Sequence, residues 1–477
     1  MAFLEQVLLM VALGLPIAAA VGFWCWPRFA THRPFVLASP ILTALTFTWL
    51  LVQGDEVGLD AAHTGLALDA VARPLLLATS GAVLAVLAAL PERDLTRHHV
   101  GAVLTAYAGA CWMLLSHGVL SLMIGYVLAG LPLLLFSEFR TRRLARYSQL
   151  LSVLLVGAGL AVLSEAAGTT VLGSLPSVVV QHPWALGMVV LGLALRLGVF
   201  PFHTWLVGLF EHAPFGPLIV TVVPMPALIV VERVIAPSLA ATFGEVPGPS
   251  ATLLVFSSAL AAGMVLVQTR LRRALGWFVV SLHSSIFLAV LDPNPVGHMG
   301  GLAMWAASTL ALTGFSVVVW GLLTRRGDID LTQHSGLHDA MPTLGAGFLL
   351  FGLACVGLPG TIDFISEDLT LHGSIAHHPL LLLGFLGGVS LLGYAVLFLA
   401  FRIFLGPRPR ALRSIRVPDA LPREKWVLVA VAVLLLAGGL MPQSVAHQLR
   451  EQAASRDGGE PAESDPISTP AGAHPTR

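Results

Sequence analysis

The sequence predicts an all-α polytopic membrane protein of about 14 transmembrane helices, with two inverted five-helix repeats and broken helices. Three observations predict this: an apolar composition, the regular return of stretches long enough to cross a bilayer, and an alternation of charge between the connecting loops. The 477 residues are 56% hydrophobic and 11% charged, with a mean hydropathy of +0.84, whereas a soluble domain carries about 25% charged residues. A water-soluble chain of this composition would have too little polar surface to cover its core, so lipid is the solvent that suits it. The formal net charge of +0 argues against a basic nucleic-acid surface.

A hydrocarbon layer of about 30 Å takes about 20 apolar residues of helix. Such stretches fall at 3–24, 35–52, 71–90, 98–116, 118–136, 147–167, 183–205, 215–236, 250–267, 274–291, 299–323, 342–371 with an interruption, 379–404 and 426–445. The first begins at Phe3 with no basic residues before it and no small-residue cleavage site after it, and is expected to be a retained helix. Past the last span, the stretch from Arg450 to Arg477 is rich in Ala, Gly, Pro, Ser, Asp and Glu and is expected to be disordered.

The loops test the count. Loops from odd to even spans carry Arg28 and Arg33; Arg93 and Arg97; Arg140, Arg142, Arg143 and Arg146; Arg270, Arg272 and Arg273; Arg325 and Arg326; and Arg408, Arg410, Arg413, Arg416, Arg423 and Lys425. Only the loop after the seventh span lacks them. The opposite loops, Gln53 to Gly65, Gly168 to His182 and Asp292 to His298, contain neither Arg nor Lys, with Arg73 and Arg233 near span ends as mild exceptions. Because basic residues collect on the cytoplasmic side, this alternation predicts an even number of spans, with both termini on the non-cytoplasmic side of a cell inner membrane.

Two spans contain helix-breaking runs: Leu195-Arg-Leu-Gly-Val-Phe-Pro-Phe-His-Thr-Trp205 in the seventh, and Gly357-Leu-Pro-Gly-Thr-Ile-Asp-Phe-Ile-Ser-Glu-Asp368 in the twelfth. The breaking residues are Pro201, Gly357, Pro359 and Gly360. Backbone freed inside a bilayer is tolerated only where protein or a water-filled cavity satisfies it. Since the breaks lie five spans apart, units containing them insert in opposite orientations, as transporters with inverted repeats do.

Ionisable residues within spans are costly and need a partner or a task. The candidates are Glu165, Arg196, His203, Glu211, Glu232, Arg233, His283, Asp363, Glu367, Asp368 and His372. Arg196 lies one turn before the first break, as either structural counter-ion or conductor, since Arg hardly deprotonates. Glu367 and Asp368 follow the second break, where carboxyls could exchange protons. His203, His283 and His372 titrate in the right range for relays, although a lone interior histidine such as His283 also serves as a plain hydrogen-bonder. Glu232 and Arg233 read as side chains that snorkel to the interface, and Glu165 as an end residue without a role. The proton-pathway set is therefore Arg196, His203, Glu367, Asp368 and His283, with no catalytic residue.

No phosphate loop, nucleophile elbow or Cys/His metal spacing occurs. Cys25, Cys111 and Cys355 stand apart in apolar segments as packing residues. No cofactor or metal is expected.

Several runs resemble one family. Phe200-Pro-Phe-His-Thr-Trp-Leu206, with Glu211 and Ala213-Pro214 after it, is similar to the F-P-F-H-T-W-L-P-D-A-H…A-P-T signature of the antiporter-like subunits of respiratory complex I, especially subunit M (chain 4). Arg270-Leu-Arg-Arg-Ala-Leu-Gly-Trp277 resembles that family's D-[IL]-K-R-[LV]-[IL]-A-Y loop, with Ser281 matching a helix serine. His338-Asp-Ala-Met-Pro342 followed by Gly357-Leu-Pro-Gly-Thr-Ile-Asp-Phe364, and then Pro418-Asp419, Arg423-Glu424 and Gly439-Leu-Met-Pro442, resemble its later motifs. The resemblance covers roughly residues 95 to 445. It implies fourteen helices with two inverted five-helix repeats, and a division into N-terminal helices (1–95), an antiporter-like core (96–405), an inner loop and last helix (406–447) and a polar tail (448–477).

The resemblance further implies a subunit that moves protons inside a multi-subunit membrane complex, driven by redox chemistry elsewhere. The family uses a glutamate in helix five, lysines in helices seven and eight, and a Lys or Glu in helix twelve. Here the corresponding positions read Tyr126-Val127, Arg196, near Pro224, and Glu367, while the lysine of an H-A-x-x-K-A-L stretch falls near Leu310. Lys425 is the only lysine in the chain. The expected function is proton translocation in a complex I-like assembly, with other membrane subunits as partners. A non-conducting structural paralogue, the membrane subunit of an inorganic-carbon pump, or a cation/proton antiporter subunit are its alternatives.

Overall fold

The computed structural model describes residues 2–26, 32–53, 57–59, 65–135, 142–243, 248–374, 379–407 and 418–440. The polar tail and the Arg-bearing segments 27–31, 136–141 and 408–417 lie outside the described residues. Helices occur at every one of the fourteen segments: α1 (Ala2–Cys25), α2 (Arg33–Gln53), α3 (Ala72–Ala89), α4 (Arg97–Leu115), α5 (Val119–Leu135), α6 (Arg142–Ala167), α7 (Pro183–Leu197), α8 (Thr204–His212), α9 (Phe215–Val222), α10 (Leu228–Val230), α11 (Ala236–Phe243), α12 (Gly248–Leu266), α13 (Leu271–Val290), α14 (Pro295–Arg326), α15 (Pro342–Ala354), α16 (Ile362–Ser374), α17 (Pro379–Phe404) and α18 (Pro422–Leu440). The seventh span is α7 plus α8, the eighth runs from α9 to α11, and the twelfth is α15 plus α16.

Eight of these helices are long and apolar enough to cross a bilayer alone. The connection after α2 carries a short antiparallel pair, β1 (Val57–Leu59) and β2 (Leu66–Leu68), with Val57 opposite Leu68. Large apolar side chains such as Leu120, Leu154, Leu380 and Trp426 face outward, as a surface bathed in lipid or covered by other membrane subunits requires. Helices α13 and α14 are instead buried over 89% and 83% of their spanning windows. They form the axis against which both broken spans pack, which is why polar groups on them can meet the breaks without facing lipid.

Arginines near the helix ends act as ties. Arg33 donates to the carbonyls of Ala88 and Leu90, and Arg146 to that of Leu134. The loop after the seventh span has no Arg of its own, and Arg272 of α13 serves it instead, donating to the carbonyls of Phe210 at 2.7 Å and Ala213 at 2.5 Å. Asp419 accepts from the backbone amides of Thr343 and Leu344 and caps α15, while Glu424 pairs with Arg325 at 2.6 Å.

Candidate functional site: polar groups at the helix breaks

In the seventh span, α7 stops at Gly198, which takes a left-handed conformation with φ of 69°, and helix resumes at Thr204. Every backbone group this exposes must find a partner. The Trp205 indole N–H donates to the Leu195 carbonyl at 2.9 Å, and the Phe200 amide donates to Ser257 Oγ at 3.0 Å. His283 of α13 supplies Nδ1 to the Leu197 carbonyl at 2.8 Å. A carbonyl can only accept, so Nδ1 carries the hydrogen. Nε2 is left as a buried acceptor without a hydrogen-bond partner among the described residues.

From this break a strip of hydroxyls runs between α12 and α13. Ser257 meets Ser284 at 2.8 Å, and Ser258 meets Ser285 at 2.7 Å and Ser281 at 3.2 Å. His203 sits in the break itself, half-buried, stacked on Phe200 and 4.6 Å from the ring of Trp277. The break therefore gathers His203 and His283, and Arg196 lies on the turn that leads into it.

Arg196 is buried among α5, α6 and α7. Its guanidinium lies 4.8 Å from the centre of the Tyr126 ring and donates to Gln149 Oε1 at 2.6 Å, with Tyr126 itself tied to Ser152 at 2.6 Å. Among the described residues it has no carboxylate partner. A Cβ on Gly130 would collide with Arg196 Nη1, so that glycine makes the room the guanidinium occupies. This is a clamp on a permanent charge: an aromatic face and an amide oxygen stabilise the cation, and neither accepts a proton from it.

The second break holds acids. Between α15 and α16, Gly357 and Gly360 take φ of 73° and 93°. Glu367 folds back so closely over Gly357 that a Cβ there would collide with its carboxylate. Asp363, one turn earlier on α16 and fully buried, accepts from the Ser308 hydroxyl of α14, which lies 3.1 Å from each carboxylate oxygen. Glu367 Oε1 is buried without a hydrogen-bond partner among the described residues. No Arg, Lys or His forms an ion pair with either acid among those residues.

Three expectations need correction. Asp368 does not join Glu367: the next position on α16 turns it out of the bundle, where its 58% exposed side chain pairs with His372 at 3.4 Å. The interior partner is Asp363, four residues before Glu367 and hence on the same helix face. Glu232 and Arg233 do not snorkel. Glu232 is 2% exposed and contacts His298 at 2.7 Å. Arg233 donates to Asp69 at 3.0 Å and to the Leu114 carbonyl at 2.8 Å, with His117 completing the cluster at 3.2 Å from Asp69.

A third break, in the eighth span, escaped the sequence reading. Its signal was Pro224-Met225-Pro226 within an apolar run: Met225 takes a φ of 47°, and the Pro224 carbonyl accepts from Trp305 Nε1–H at 2.7 Å. A π-helical turn over Val231–Ile235 follows. Glu165 is exposed, as expected of an end residue, and Glu211 lies near the end of α8. Cys111 and Cys355 are buried, while Cys25 is exposed.

The family described as NADH:quinone oxidoreductase/Mrp antiporter, TM, matches residues 116–393, which takes in both breaks. The chain belongs to this family. It is 26% identical over 400 residues to NADH-quinone oxidoreductase subunit N of Rhodococcus opacus (strain B4), covering 78% of this chain and 73% of that one. With NADH-quinone oxidoreductase subunit M of Escherichia coli (strain K12) it shares 24% over 262 residues, 54% of this chain and 50% of that subunit. In fold it resembles a chain of respiratory complex I from Thermus thermophilus, with a TM-score of 0.78 at 21% identity over 94% of this chain and 98% of that one. The all-α, inverted-repeat architecture with broken helices is thus that of the antiporter-like membrane subunits, whose relatives work within multi-subunit membrane complexes.

Proposed function

We propose that this chain is a proton-translocating subunit of a complex I-like membrane assembly, working through Glu367 and Asp363 and driven by chemistry in partner subunits. The observation that carries it is the acid pair at the second break. Two carboxyls one helical turn apart, in an apolar interior with only a serine hydroxyl for support among the described residues, are unfavourable as two fixed charges. They are suited to hold and pass protons, and the unwound backbone of Gly357–Gly360 is where water can reach them. At the first break, His203, His283 and the serine strip offer hydroxyls and an open imidazole nitrogen for water-linked hops. Arg196 borders that route as a standing positive charge. The relatives named above are subunits of NADH-quinone oxidoreductases, which supports the assembly type. The Arg-rich loops support an inner-membrane placement with both termini on the non-cytoplasmic side.

One observation favours a second reading, a non-conducting structural paralogue: the Tyr126–Arg196–Gln149 clamp immobilises the first-half charge. Proton uptake into proteoliposomes containing the purified native complex separates the two, with wild type compared against Glu367→Gln and assembly checked by native gel. Collapse of proton movement in assembled Glu367→Gln complex supports conduction; full movement leaves the scaffold.

A further inference from the structure

A second proton-holding group lies away from both acid-bearing and histidine-bearing breaks, between the eighth span and the first turn of α14. His298 Nδ1 lies 2.9 Å from the Val290 carbonyl, in the last turn of α13. That carbonyl can only accept, so Nδ1 carries a hydrogen. The other ring nitrogen, Nε2, lies 2.7 Å from Glu232 Oε2. The contact is close without being an aligned hydrogen bond, and because two bare lone pairs at that distance repel, it favours one further proton on the imidazole or on the carboxyl. Both side chains are enclosed, 8% and 2% exposed.

Glu232 stands on the π-helical turn Val231–Ile235, a local widening of the helix found mostly at functional sites. The other charges nearby come from two directions. Asp292, in the turn between α13 and α14, lies within electrostatic range of His298, and its carboxylate abuts Gly297, where a Cβ would collide with it. Arg233, the next residue on the π turn, is committed to Asp69 and the Leu114 carbonyl.

We propose that Glu232 and His298 form a proton-exchange station at the Arg-poor end of the core, where the shared proton leaves for, or arrives from, the face bearing the α13–α14 turn. Loss of the proton leaves an imidazole and a carboxylate, and its return restores the protonated pair; nothing but a proton moves. The placement follows from the chain: α14 begins at Pro295, so His298 is in its first turn, at the end opposite Arg325 and Arg326. Asp292 gives the departing proton an acceptor toward that surface. This rests on the translocation reading and adds a second, spatially separate site to it.

The test uses the native complex in proteoliposomes, with Glu232→Gln, His298→Gln and Glu367→Gln prepared side by side. Gln at 232 can still donate a hydrogen bond to His298 Nε2, so packing is kept while the shared proton is lost. The expected result is assembled Glu232→Gln and His298→Gln complexes with most proton movement gone, and a Glu232→Asp complex that moves protons with a shifted pH profile. Full movement in assembled Glu232→Gln, while Glu367→Gln abolishes it, overturns the station and leaves the proposed function intact. Full movement in both removes the proposed function and the station with it. Should Glu232→Gln fail to assemble, Glu232→Asp decides: an altered pH profile supports the station, and a wild-type rate and profile overturn it.

Discussion

Removing the amide oxygen that holds Arg196 tests whether the clamp is as described. Gln149→Leu leaves an apolar side chain one atom shorter and takes away the acceptor 2.6 Å from Nη1. What remains is the Tyr126 ring at 4.8 Å and the Tyr126 carbonyl at 3.4 Å, the latter too long to compensate. A hydrogen bond to a charged group contributes about 1.5–3 kcal/mol, so the substitution is expected to cost about 2 kcal/mol. Removing the cation as well should undo the damage, because replacing a buried charge and its partner together by apolar side chains is neutral or stabilising. Arg196→Met combined with Gln149→Leu is therefore expected to unfold near the wild-type denaturant midpoint, with an interaction energy of about 2 kcal/mol in the double-mutant cycle. Denaturant titration in mixed micelles reads all four proteins. A Gln149→Leu protein as stable as wild type, or a double variant no more stable than Gln149→Leu alone, would refute the clamp.

Other expectations follow from the same geometry. Gly357→Ala places a methyl against the Glu367 carboxylate at a backbone φ of 73°; it should destabilise by about 1–3 kcal/mol and impair proton movement, read by the same titration and by proteoliposome uptake. Asp69 lies outside the spans; burial pushes its carboxyl up, but the hydrogen bond to His117, the Arg233 charge and the Ala72 amide outweigh this and hold it at about 2, below the ordinary 3.8. Its contribution, about 2 kcal/mol by linkage, is present above pH 4 or so and lost as pH falls through about 2, so Asp69→Asn should flatten stability across that window. Arg325→Leu strands Glu424, 7% exposed, without its cation and should cost about 3–5 kcal/mol, seen as a lowered denaturation midpoint.

The helical segments and both acid- and histidine-bearing breaks were legible in the sequence because each rests on a local rule: hydropathy over about 20 residues, and Pro or Gly inside a span. The side a charge faces was less legible. Glu367 and Asp368 are neighbours in sequence, yet one helical step of about 100° buries the first and exposes the second. Counting back four residues from Glu367 identifies Asp363 as its companion, a periodicity signal the reading of adjacent acids overlooked. The snorkelling of Glu232 and Arg233 failed for another reason: their partners, His298 and Asp69, are 66 and 164 residues away in the chain, and long-range pairing leaves no local trace. The loop after the seventh span has no Arg of its own, and Arg272 reaches it from a later helix, a contact that sequence proximity does not reveal.

A common device links the two pinned histidines. His283 takes the Leu197 carbonyl where α7 stops, and His298 takes the Val290 carbonyl where α13 stops. A helix end in the bilayer leaves carbonyls that need a donor, and an imidazole that satisfies one with Nδ1–H is thereby oriented with Nε2 facing inward, able to take up or release a proton. Structural need and proton chemistry are then met by one side chain: the carbonyl orients the ring, and the free nitrogen is what a water or a carboxyl can address. Arginine cannot fill that role, since it has no acceptor atom. In a chain whose only lysine is Lys425, outside the core, the titratable groups at the sites described are these histidines, His203, and the acids Glu232, Asp292, Asp363 and Glu367. If protons cross this subunit they cross on those groups, with Arg196 shaping the field and carrying none of the traffic.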